Sequence, residues 1–328
     1  MLAKLRSRAC SWRVGMDPFR FFKQFVILAV PNCLSFASEL VVPFSAVIFL
    51  GKMSTSEMQG ACLLGNMYSN AFGNALIFGL AMGLDSLAPQ AEGSGKKALV
   101  GLYCQRGLVI SLLACVPIAV LWIFASPVLQ FVFRIDAAAS DLAQGFVVAR
   151  LPGLPACAAF EVFRRFAQAQ RLAWPTLVAC SVSALFHLGI TYLLILKFGL
   201  VGAGYAISAS QWVMLIVLVC VLFLLRNSDS LAGSWIRPSL KELFGGWPQY
   251  LRVAGPASLS LAIEWGAWEV YASLSAQLGT VALASHSIMA TTSAIFYIFP
   301  LGCSQAVATL VGNYLGEGNA KNCQSCRK

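Results

Sequence analysis

AVPNCLSFASE, residues 29–39, recurs as AGPASLSLAIE, residues 254–264, and each copy ends in a carboxylate set within an apolar stretch. Ala29, Pro31, Leu34, Ser35, Ala37 and Glu39 meet Ala254, Pro256, Leu259, Ser260, Ala262 and Glu264. A second match follows in the same order, with Gly79, Leu87, Gly93 and Gly95 against Gly302, Leu310, Gly316 and Gly318, and Gln90 opposite Asn313. The chain therefore reads as two copies of one helix bundle, an arrangement in which the functional site falls between the copies.

Working outward, the composition sets the class. With 59% hydrophobic and 11% charged residues and a mean hydropathy of +0.76, a chain of 328 residues has too little polar surface for a water-soluble fold. Apolar stretches at 25–50, 61–84, 99–124, 142–163, 174–196, 200–225, 250–275 and 282–306 are each long enough to cross ~30 Å of hydrocarbon at ~1.5 Å per residue. The fold class is all-α, a polytopic membrane bundle of about eight helices. The fifth and sixth spans separate at Lys197-Phe198-Gly199, where a charge meets a helix-breaking glycine.

A net charge of +10 invites a nucleic-acid reading, but the placement of the cations argues against it. Lys4, Arg6, Arg8, Arg13, Arg20 and Lys23 precede the first span; Lys96, Lys97, Arg106, Arg164, Arg165, Arg171, Arg226, Arg237, Lys241 and Arg252 fall on the even connections. The odd connections carry only Lys52, Arg134 and Lys197, and Arg150 lies inside a span. This asymmetry predicts a cytoplasmic N-terminus and contact with anionic lipid, with no nucleic-acid partner. The Arg-rich start lacks the apolar run and cleavage site of a removed signal, so the first span reads as an uncleaved anchor, an organelle transit segment being the alternative.

No enzyme constellation emerges. The 11 cysteines are scattered, mostly within spans, and the Cys323-x-x-Cys326 pair lacks a second ligand pair for a metal. Gly93-Ser94-Gly95-Lys96-Lys97 lacks the earlier glycine and the hydroxyl residue of a phosphate loop. Neither a cofactor nor a metal is expected.

Ionisable residues inside spans are the functional candidates, because a carboxyl there must be neutral, paired or open to water. These are Glu39, Glu264 and Glu269, with Arg150 as a candidate for the substrate cavity. Trp265, Trp268 and Tyr271 surround the two acids of the seventh span, a setting that suits an organic cation through ring faces plus charge. Pro31 and Pro256 each stand eight residues before a carboxylate and remove a backbone donor, so both helices are expected to bend there.

These residues resemble the multidrug and toxic compound extrusion (MATE) transporters, specifically the eukaryotic type, from about Phe25 onward. The resemblance rests on Asp85, Gln90-Ala91 and Gly93 after the second span, Gln105-Arg106 opening the third, Arg165-Phe166 with Gln168-Ala169-Gln170, and Gly199-Leu200-Val201-Gly202-Ala203. Glu264-Trp265-Gly266-Ala267-Trp268-Glu269 and Val311-Gly312-Asn313-Tyr314-Leu315-Gly316 complete it. Gly266 stands where that family has a second tryptophan, Glu92 where it has an aromatic, and Leu310 where it has arginine. Glu39 falls where the family pattern has an uncharged residue.

The resemblance implies twelve helices in two lobes, of which this chain has eight. It divides into a basic segment 1–24, a six-helix lobe 25–225, a connection 226–249, and 250–328 as two helices and the tail of an incomplete, parallel-repeat second lobe. The implied activity is a secondary antiporter exporting organic cations, drugs or metabolites in exchange for protons or sodium, in a plasma or vacuolar-type membrane. In that scheme Glu264 and Glu269 bind the coupling ion or the cationic substrate in turn. The alternatives are an inactive or regulatory fragment lacking its partner helices, and a flippase of lipids or lipid-linked sugars.

Overall fold

The chain is represented by a computed structural model that describes residues 18–53, 55–236, 239–278 and 280–318. Cys323 and Cys326, and most of the basic N-terminal segment, lie outside the described residues. The described part is helical throughout, with no strands.

Helix α1 spans Pro18–Met53. Thr55 then caps α2 (Ser56–Ser69), accepting the Met58 N–H, and a π turn at Asn70–Asn74 carries the chain into α3 (Ala75–Gly93). Helix α4 (Lys97–Ile123) returns, and the short α5 (Ala125–Phe133) leads to α6 (Ala137–Ala149), which Asp136 caps. A 3₁₀ turn at Leu151–Gly153, where Pro152 withholds a donor, breaks this span before α7 (Leu154–Ala169).

Helix α8 (Trp174–Leu224) contains two spans. Gly199 has φ +59° and ψ −134°, which reverses the chain as expected from the sequence. The two halves then pack antiparallel, with Ser183 and His187 both bonded at Ser210. A short α9 (Leu240–Gly245) precedes α10 (Trp247–Gln277) and α11 (Thr280–Gly316).

Six helical stretches among the described residues are long and apolar enough to cross a membrane, and the one containing Gly199 supplies two spans. Helix α10 is as long but more polar, carrying Arg252, Glu264 and Glu269. The fourth apolar stretch ends at 163, which puts Arg164 and Arg165 in a connection; both lie instead inside α7 and are buried. Their charges are matched by partners within the lobe, so the apolar window underestimated the helix.

Helices α1 to α8 form one lobe around two apolar cores. One gathers Leu84, Phe160, Phe166, Leu218 and Tyr250, the other Ile77, Trp122, Phe146 and Leu154. Helices α10 and α11 pack mainly on α3 and α1 rather than on each other. The Gly79-x-x-x-Gly83 spacing explains the first of these contacts: Gly79 lies directly against the Ser258 backbone and Gly83 against Ala254 and Tyr250. Tyr250 is fully buried there and donates to the Leu80 carbonyl at 2.9 Å.

Candidate functional site

Five charged side chains form a continuous ladder through the first lobe. Arg164 donates to Glu39 at 2.7 Å and to Glu161 at 2.7 Å; Arg165 donates to the same Glu161 oxygen and stands 3.3 Å from Asp85. Glu161, Arg164 and Arg165 are on α7, where spacings of three and four put all three on one face. Glu39 reaches the ladder from α1 and Asp85 from α3, so the carboxylate singled out by the repeat and the one singled out by family resemblance are its two ends.

The geometry decides where an added charge would settle. Three carboxylates face two guanidiniums, which leaves one negative charge when all are ionised. Glu161 has two cationic partners and is 3% exposed, whereas Glu39 and Asp85 have one each and are 27% and 20% exposed. Each end therefore holds only one ion pair and is open to water, while the centre is paired twice and shut off from it. Cys180 also donates to Glu39 at 3.3 Å, and the Arg164 guanidinium lies 5.0 Å from the Phe36 ring.

The second group of residues sits at the end of the bundle where α3 and α11 finish. Gly93 lies against the Asn313 backbone and Gly316 against the Gln90 backbone, so closely that neither has room for a Cβ. These four residues are the repeat partners of the sequence, Gln90 with Asn313 and Gly93 with Gly316, so the two contacts are reciprocal copies of one contact. Gly312 packs on Pro89 beside them. Arg171 of the turn before α8 pairs with Glu317 at 3.3 Å and its guanidinium lies 5.7 Å from the Tyr314 ring, while Tyr314 donates to Gln24 at 2.8 Å. A polar cavity of about 380 Å³ opens here, lined by Glu92, Lys97, Gln170, Arg171, Asn313 and Glu317. Gln170 is held by its bonds to the Phe166 carbonyl and the Ser234 hydroxyl, and Asn313 is fully buried with neither amide atom bonded among the described residues.

The remaining expected residues are dispersed. Glu264 is exposed on α10, one residue from Trp265, whose ring meets Phe78 of α3 edge to face at 5.4 Å. Trp268 and Tyr271 are exposed and 6.4 Å apart. Glu269 lies on α10, but its side chain is outside the described residues. Pro31 and Pro256 are inside α1 and α10, and Ser35 donates to the Pro31 carbonyl at 2.7 Å. Arg150 is 5% exposed in the interior of the first lobe, bonded to Asn66 at 3.1 Å.

Sequence reasoning missed Glu161. The signal was present, since a carboxylate three and four residues before two adjacent arginines shares their helix face. Those arginines read as a loop, so the face was never drawn.

A lobe of six spans with a buried charge ladder, joined to the start of a repeated lobe through reciprocal contacts, is the construction of a two-lobed membrane transporter. The MatE family model matches residues 31–193 and 256–326, and the chain belongs to that family. It is 30% identical over 308 residues to Multidrug and toxin extrusion protein 1 of Xenopus tropicalis, covering 93% of this chain and 53% of the relative. Protein DETOXIFICATION 51 of Arabidopsis thaliana is 31% identical over 303 residues, at 91% and 56% coverage. The crystal structure of the eukaryotic MATE transporter AtDTX14 superposes with a TM-score of 0.86 at 26% identity, covering 94% of this chain and 69% of that one. The chain spans about half the length of the curated relatives it matches. It is a multi-pass membrane protein.

Proposed function

We propose that this chain forms the first lobe and the start of the second lobe of an antiporter that exports organic cations, drugs or metabolites in exchange for protons. The observation that carries this reading is the ladder with one more carboxylate than guanidinium, because it can take up and release a single positive charge inside the lobe. Glu264, on the neighbouring α10 with Trp265, Trp268 and Tyr271, supplies a second carboxylate beside aromatic faces that suit an organic cation. The names of the relatives support extrusion as the activity.

Competition for one carboxylate couples the two fluxes, since the substrate cation is held only after the proton has left. One charge moved across 100 mV supplies ~2.3 kcal/mol, roughly a fiftyfold gradient. The basic N-terminal segment and even connections support a cytoplasmic side for the Gly93–Asn313 contacts, which in this reading close the bundle toward the cytoplasm.

The test is pH-gradient-driven efflux of a fluorescent organic cation from vesicles, using the chain joined to the region its relatives have beyond this match. Glu264→Gln is expected to abolish efflux with membrane insertion intact, and Glu39→Gln to change the protons moved per substrate. Wild-type efflux and stoichiometry in both variants would sink the proposal.

A further inference from the structure

Arg150 is a buried cation that the charge ladder does not use. It stands at the break between α6 and α7, 5% exposed, and among the described residues it forms no ion pair. Among the described residues its Nη1 donates to Asn66, and its Nε has no partner. The guanidinium lies 5.5 Å from the Trp122 ring and 5.7 Å from the Phe146 ring. Trp122 is 1% exposed, and its Nε1 is also without a partner.

Acceptors at the break are already answered. Ser208 donates to the Ala149 carbonyl at 3.0 Å and Trp212 to the Pro152 carbonyl at 2.9 Å, both from the second half of α8. Among the described residues, Asn74 Oδ1 is an unmet acceptor in the π turn that also holds Gly73 against the Trp122 indole. What is left over beside Arg150 is a full positive charge and two N–H donors on adjoining side chains. Ring faces and one neutral amide offset only part of the cost of that charge in an apolar interior. The group that completes the site is a small, singly charged acceptor. Helix breaks inside transporter spans serve anions in the same way, since the chain starting the next half-helix presents the positive end of its dipole.

We propose that Arg150, Asn66 and Trp122 form a binding site for a small monoanion, either a halide ion or the carboxylate of a substrate. The site is separate from the Glu39–Asp85 ladder and does not rest on the antiport reading, because binding is measurable without a gradient or efflux.

Bromide is the probe, as it pairs with guanidinium as chloride does and quenches indole fluorescence on contact. In the purified chain in detergent, with ionic strength held by sulfate, bromide should quench part of the tryptophan emission along a saturating curve. Chloride should relieve the quenching. If acetate relieves it at lower concentration than chloride, the site is for a carboxylate; if at higher concentration, for a halide. Trp122→Phe and Arg150→Met should each remove the saturable part. Asn66→Asp should remove it too, by giving Arg150 an internal carboxylate, and should not lower the melting temperature. This variant decides the matter if Arg150→Met does not fold. Strictly linear quenching in the parent chain, or saturable quenching that survives Asn66→Asp, would overturn the proposal.

Discussion

Glu161 meets both guanidiniums of the ladder through one oxygen, and its neighbours exclude water from it. Removing its charge leaves Arg164 and Arg165 half-paired in the interior, which costs about 3–5 kcal/mol when a buried pair is broken from one side. Glu161→Gln should therefore lower the denaturation midpoint in detergent more than Glu39→Gln or Asp85→Asn, whose partly exposed side chains are screened by solvent. Equal losses in all three variants would mean that the ladder does not concentrate its charge at the centre. Outside the spans, another carboxylate is tuned by its bonds. Glu242 of α9 closes a capping box with Ser239, accepting the Ser239 backbone N–H at 2.8 Å and its hydroxyl at 2.9 Å, and these bonds hold its carboxyl below the usual glutamate range. Its folded value is depressed, so its contribution is present above the ordinary glutamate pKa and is lost as pH falls through the lower folded value. A carbon NMR titration of Glu242 should show a midpoint below that of a free glutamate, and Ser239→Ala should raise it only part of the way, because the backbone bond remains.

At the level of the helices, the turn at Gly199 is the most exposed to substitution. With φ +59° and ψ −134° it lies where a Cβ is strained, although open space surrounds it. Gly199→Ala should cost about 1–3 kcal/mol and loosen the antiparallel pairing of the two halves of α8, seen as faster amide exchange near Ser183 and Ser210. Unchanged exchange would place the turn's stability in packing instead. This glycine was legible because a charge and a breaker coincide between two apolar runs, and apolar character and length likewise pointed to the other spans. The ends of α7 were not legible. Arg164 and Arg165 are buried by partners on α1 and α3, more than a hundred and about eighty residues away, and no local pattern carries that information. Repetition exposed Glu39, and resemblance exposed Asp85, but only the packing of α1 and α3 around α7 shows that they belong to one structure. Arg150 was visible as an intramembrane charge, and Phe146 stands four residues before it on α6, but Trp122 comes from α4, which nothing in the sequence joins to it.

For the molecule as a whole, the faces of α10 and α11 matter as much as their contacts. Ile263, Trp268, Val270, Tyr271, Phe296 and Phe299 are exposed, and so is Glu264. A carboxylate among exposed apolar side chains cannot alternate between two closed states without further helices to cover it. Vesicles containing residues 1–328 alone should show no saturable, gradient-driven efflux, and co-expression of the region its relatives have beyond this match should restore it; efflux from residues 1–328 alone would instead indicate neighbouring copies covering these faces. The Gly93–Asn313 and Gly316–Gln90 contacts offer a matching test. A methyl at either glycine forces the two helix ends apart, at about 1–3 kcal/mol for overpacking, so Gly93→Ala and Gly316→Ala should accelerate amide exchange in both 87–93 and 310–316 although each alters one lobe only. Because the two contacts are reciprocal, they straddle a pseudo-twofold axis. Swivelling the lobes about that axis moves both contacts little and leaves them closed, while tilting across it parts them together. The pair thus acts as a single hinge pin: neither contact can open by such a tilt while the other stays shut, so the two helix ends share one fate.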